Sequence, residues 1–161
     1  MITEGNKTII GDGKAYYYHL VNKHPKVKEA LYPTGSELHV KSMMDWFQNV
    51  MRPKTFKLIR VKVNRNAKKK EKEVGEMLEE YFGLVLKTLE NRLSSGQSFT
   101  CGQAMTLIDI IFYCDIVTVL KLYQKELPKD SLECVSLWFS KIGQLQQMSI
   151  MDENLVRVIN E

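Results

Sequence analysis

Phe99-Thr100-Cys101-Gly102-Gln103-Ala104-Met105-Thr106-Leu107-Ile108-Asp109-Ile110 carries the signature of a helix entering a protein interior. Thr106 followed three residues later by Asp109 is a capping box, with Asp in place of the commoner Glu. Met105 before the cap and Ile110 behind it can form a hydrophobic staple. The residues beyond are apolar on nearly every side: Leu107, Ile108, Ile110, Ile111, Phe112, Ile116, Val117, Val119 and Leu120. Such a helix belongs at the centre of a bundle, where its first amides meet no water and need a partner from the chain itself. Asp115, inside this run, needs a donor or is costly to bury, and a structural hydrogen bond is its expected role.

Amphipathic helices flank this segment. Upstream, Val74, Met77, Leu78, Tyr81, Phe82, Val85, Leu89 and Leu93 repeat at three- and four-residue intervals, and Ser94-Ser95-Gly96 ends the run. Ser36 and Glu37 open an earlier helix containing Leu38, Val40, Met43, Met44, Phe47, Val50 and Met51; Pro53 is expected to end or kink it near Arg52, and Phe56, Ile59 and Val63 repeat a spacing that suggests it resumes beyond the kink. Downstream, Pro128 stops the central helix, and Asp130 or Ser131 is expected to start the next, with Leu132, Val135, Trp138, Phe139, Ile142 and Leu145 facing inward. A last helix is expected from about Asp152. At the N-terminal side, Thr8-Ile9-Ile10 reads as extended, and Lys14 to Asn22 as a short helix behind Gly11-Asp12-Gly13. The expected fold is all-α, a bundle of five or six helices with a short extended piece before it.

With 161 residues, 44% hydrophobic and 26% charged, the chain has the composition of one globular domain with a real core. No apolar run reaches a membrane span, and residues 1–10 lack the pattern of a signal peptide. Three cysteines without regular spacing argue against a disulfide framework and for the cytoplasm or another reducing compartment; an organellar assembly is compatible with the same observation. Three scattered histidines and no Cys/His cluster give no metal site.

The net charge of +4 conceals a local excess, because residues 54–72 hold nine basic and one acidic side chain. Lys68, Lys69 and Lys70 are its centre and a candidate contact for a protein or membrane partner, although charge runs are most often solvated. Without interleaved aromatics or a recognition motif, nucleic acid is the weakest of these readings. Tyr16-Tyr17-Tyr18 cannot all face one core from one short helix, so Tyr16 and Tyr17 are candidate partner contacts.

In its ordered features the chain resembles the C-terminal domain of glutathione transferases, in the theta-like branch. Gly102, Thr106 and Asp109 match that family's helix-entry motif, with Ile108 in place of the usual alanine. The long helix over 74–93 and Trp138 stand in the matching order, and Leu31-Tyr32-Pro33 followed by Val40-x(5)-Trp46 looks like the entrance to the domain's first helix. Residues 8–20 resemble the last strand and helix of the family's thioredoxin-like half. The resemblance therefore implies a division into a thioredoxin-like remnant at 1–24 and a helical domain at 25–161. It also implies that Asp12 stands where the family holds the γ-glutamyl end of glutathione, with Gly13 lacking the usual hydroxyl. The family's thiolate-stabilising residue and cis-proline turn have no counterpart in the sequence. The expected function is accordingly a non-catalytic structural or scaffolding subunit that binds other proteins in a complex or homo-oligomer, without catalytic residues or cofactor. The alternative is a fragment of a theta-like transferase conjugating glutathione to electrophiles, with its pocket against the 36–60 and 106–120 helices.

Overall fold

The computed structural model describes residues 2–4, 7–9, 13–63 and 71–160. Strands β1 (Ile2–Glu4) and β2 (Lys7–Ile9) pair antiparallel, Ile2 opposite Ile9 and Glu4 opposite Lys7. The extended start is thus a two-stranded ribbon rather than a single strand. Helix α1 (Gly13–Lys23) follows, and then α2 (Pro25–Leu31), which the punctuation by Pro25 and Pro33 conceals. Pro25 occupies the first turn, where its missing N–H removes no bond and its fixed φ suits the helix.

The next two rods share a device. Helix α3 (Glu37–Trp46) runs through a π-helical turn at Phe47–Met51 into α4 (Arg52–Val63). An uninterrupted α-helix would need an N–H from Pro53. Instead, the Arg52 N–H reaches back to the Phe47 carbonyl, and Pro53 enters at the start of a fresh α-helical segment. The proline is absorbed without ending the rod. Helix α5 (Glu71–Tyr81) similarly passes through a π-helical turn at Phe82–Leu86 into α6 (Lys87–Leu93). The wider turn shifts the inward face, so Leu86 is buried beside Val85. Simple three-and-four spacing assigns only Val85 to the core.

Helix α7 (Leu107–Tyr123) is the axis of the bundle, packing against α3, α4, α8 (Glu133–Gly143) and α9 (Gln146–Asn160). Ile108, Phe112, Ile116 and Val119 on it are sealed from solvent, as are Trp138 and Ile142 on α8. Each such side chain contributes roughly 1.5–3 kcal/mol through the apolar area it removes from water. With each rod counted once, residues 25–160 hold six helices among those described, within the expected all-α bundle.

Three boundaries differ from expectation. Helix α7 ends at Tyr123, where Gln124 turns left-handed at φ 51°, before Pro128 is reached. Helix α8 begins at Glu133 rather than at Asp130 or Ser131. Ser131 and Leu132 are drawn into a turn on the Pro128 carbonyl, each donating at 3.1 Å. Leu132, at the cap position, has no side-chain acceptor, and Glu90 of α6 supplies one: its carboxylate accepts from the amides of Cys134 at 3.1 Å and Val135 at 2.8 Å. Helix α9 begins at Gln146 rather than near Asp152, its first turn closed by the Leu145 carbonyl, which accepts from Met148 at 2.9 Å and Ser149 at 3.2 Å.

Candidate functional site

Asp109 joins three parts of the fold. Its carboxylate is completely buried and accepts five hydrogen bonds, all from neutral donors. Oδ2 takes the Thr106 amide at 2.8 Å and hydroxyl at 2.9 Å, so the capping box of α7 is formed. Oδ1 takes the Thr100 amide and hydroxyl, both at 2.8 Å, and the Trp138 indole N–H at 2.9 Å. The loop before α7, the first turn of α7 and the middle of α8 therefore meet on one side chain. Thr100 is fixed from the other direction as well, its carbonyl accepting from Arg92 of α6.

Asp115, nearly two turns further along α7, is held differently. Oδ1 accepts from Arg52 at 2.5 Å and Oδ2 from the buried Thr55 hydroxyl, both donors belonging to α4. Burial raises the Asp115 pKa above the ordinary aspartate value, against the opposing effects of Thr55 and Arg52. Tyr81 of α5 lies fully buried beside this group; burial, and then the Asp115 charge, push its phenol well above the usual range. Arg52 itself is part-exposed, with its guanidinium 5.8 Å from the Phe47 ring centre and 4.4 Å from that of Phe56. The structural hydrogen bond expected for Asp115 is present, donated by the buried Thr55 hydroxyl and joined by an ion pair with the part-exposed Arg52.

Tyr17 of α1 packs half-buried onto the core, close enough to Arg52, Cys114 and Asp115 to sense their charges, and burial raises its pKa. Tyr18 meets Tyr32 edge to face at 6.0 Å. Both described tyrosines of the triplet thus lie partly against the chain's own helices. The Tyr16 side chain lies outside the described residues, as do Asp12 and Lys68, Lys69 and Lys70.

The basic segment has a described portion, and there the structure pairs opposite charges. Helices α4 and α5 pack together, and Lys54 bonds to Glu80. That bond and the Lys54 charge lower the Glu80 pKa. Glu73 and Glu76 line one small groove with Lys57. A neighbouring groove of about 210 Å³ is bounded by Pro53, Leu58 and Met77. The positive stripe is thus partly answered by the acidic face of α5, which weakens its field toward any polyanion. On the outward side of α4, Phe56 is 53% exposed and Val63 67%. Their separation, two helical turns, puts them on one side of the rod.

All three cysteines are free thiols, each half-buried. Burial raises the pKa of Cys101, the opposite of what a reactive thiol requires. Among the described residues no group of three His, Cys, Asp or Glu is placed to hold a metal ion, and no helix is long and apolar enough to cross a membrane. Periodicity does not announce the Glu90 cap or the Asp109–Trp138 bond, because both partners come from helices distant in sequence.

The fold has a solved counterpart. A Bombyx mori glutathione transferase superposes with a TM-score of 0.71, covering 96% of this chain and 67% of its own length at 19% identity. A likeness at that identity concerns the fold. Among curated proteins no match is found. The family described as glutathione S-transferase, C-terminal domain, matches residues 55–149, from the start of α4 into α9 and across the whole capping-box junction. More than half of the sequence is matched, and the chain belongs to the glutathione S-transferase C-terminal domain family.

Proposed function

We propose that this chain is a non-catalytic structural subunit whose helical domain docks other protein subunits, in a multiprotein complex or a homo-oligomer. The observation that carries the proposal is the outward face of α4. Phe56 and Val63 stand exposed two turns apart, and Arg52 stacks on the Phe56 ring. Aromatic side chains and arginine are enriched at protein interfaces, and an anchored ring loses little conformational freedom on binding. Leu84, in the π-helical turn that follows α5, is also 43% exposed. In this proposal residues 1–24 belong to a thioredoxin-like unit, a division supported by the succession β1, β2, α1. No cofactor is required, and the three free thiols suit a reducing compartment. Material purified from the native source should elute as an assembly larger than one chain. A single-chain elution at working concentration argues against docking.

A second reading is favoured by the likeness to the Bombyx mori enzyme over nearly all of this chain. It makes the chain part of a theta-like glutathione transferase. Calorimetric titration of the native protein with glutathione separates the two: heat of binding together with conjugation of an electrophile supports the enzyme, and neither supports the scaffold.

A further inference from the structure

We infer that Met151 is a modification site for hydrogen peroxide, and that its sulfoxide loosens α9 from the bundle. Helix α9 is the most lightly held of the helices packed on α7. None of its described side chains is fully buried, whereas α3, α4 and α8 each bury two or more. Met148, Met151 and Leu155 form its inward stripe at helical spacing, half-buried against the core. Two consecutive pairs of side chains tie this stripe to α7. The Tyr113 hydroxyl donates to Asp152 Oδ2 at 3.1 Å, and the Cys114 thiol donates to the Met151 thioether at 3.2 Å.

The two sulfurs in this seam differ in their chemistry. A thiol must ionise to attack a peroxide, and burial, together with the charges of Asp152 and Asp115, raises the Cys114 pKa. A thioether needs no ionisation. Met151 is within reach of a small oxidant, whereas Met43, Met44, Met51 and Met77 are buried. A lone pair on Met151 Sδ attacks one peroxide oxygen. The O–O bond breaks, the S–O bond forms, and the second oxygen leaves as water after proton transfer. The sulfur gives up two electrons and the peroxide takes them. The product puts a strongly polar acceptor where an apolar group was. The seam has few donors to meet it. The Tyr113 hydroxyl is engaged by Asp152 Oδ2, and Asp152 Oδ1 is already buried with no partner. The Cys114 thiol is left, and a thiol is a weak donor. An acceptor short of donors is better satisfied by water than by the seam, so the oxidised face of α9 leaves it.

The test exposes the full chain to a small molar excess of hydrogen peroxide. Peptide mass spectrometry locates the added oxygen, and amide hydrogen exchange follows the helices. Oxygen should appear at Met151. The amides of residues 146–157 should then exchange about tenfold faster or more, while those of residues 111–119 in α7 keep their rates. Met151→Leu, of similar volume and without the sulfur, should stay docked and lose the response. Met151→Gln, polar and of similar length, should speed exchange in α9 without peroxide. Met148→Leu and Cys114→Ala should both still respond. A sulfoxide at Met151 with unchanged exchange, or oxidation that spares Met151, would overturn the assignment. So would a response that survives in Met151→Leu, or one lost in Cys114→Ala, which would move the target to the thiol.

Discussion

The Asp109 junction and the outer face of α4 are opposites. At Asp109 every acceptor site is used and solvent is excluded, and three elements depend on one carboxylate. On α4, a phenylalanine and a valine are more than half exposed among the described residues, with an arginine stacked on the phenylalanine ring. The first is a place where substitution must damage the fold. The second is a place where substitution should leave the fold intact and change only what the protein binds. Information about structure and about interaction is thus carried by different residues, and each half of this contrast can be broken separately.

The largest effect is expected at the junction itself. Asp109→Ala leaves buried amides, hydroxyls and an indole N–H without an acceptor, and should cost about 4 kcal/mol or more in urea unfolding. Asp115→Ala should cost less, about 2–3 kcal/mol, because the part-exposed Arg52 can turn to water while the Thr55 hydroxyl is stranded. Glu90→Ala removes the cap of α8 from outside and should cost about 1–2 kcal/mol, with Cys134 and Val135 amides gaining hydrogen exchange first. At the small end, Phe56→Glu with Val63→Glu should move stability by only about 0.5 kcal/mol, the range of exposed substitutions. A much larger loss would show that this face is part of the core rather than a docking surface.

The two aspartates also differ in their expected response to pH. Asp115 has a raised folded pKa, so the folded state holds its proton over a window where the unfolded state has lost it. Its contribution therefore falls as pH rises from the unfolded value, about 3.9, to the folded one, and is flat above that. Subtracting the urea stability profile of Asp115→Asn from that of the native sequence should isolate this downward slope. A difference that rises with pH in that window would mean that Arg52 outweighs burial.

Much of the fold is legible because its signals are local. The apolar helix, the capping box and the Ser94-Ser95-Gly96 stop each sit within a few residues of what they determine. The misplaced features depend on distant partners or on backbone adjustment. Pro53 reads as an end or a kink near Arg52, and the π-helical turn that carries the rod past it is a backbone adjustment the spacing does not specify. The start of α8 is set by Glu90, more than forty residues upstream. The candidate surface was legible only in part. The charge run over 54–72 is visible in sequence, but its partial neutralisation by α5 requires the packing of the two helices. The exposure of Phe56 is likewise hidden, because its spacing from Ile59 and Val63 looks like a core-facing pattern.

The docking role is tested most directly by light scattering on material from the native source, compared with the intact mass of one chain in the same sample. An assembly mass well above one chain is predicted for the native protein. The Phe56→Glu/Val63→Glu variant, expressed in the same source, should fall to the mass of one chain with its helical spectrum unchanged. A native protein at one-chain mass, or a variant that assembles as before, would contradict the assignment of α4 as the docking face.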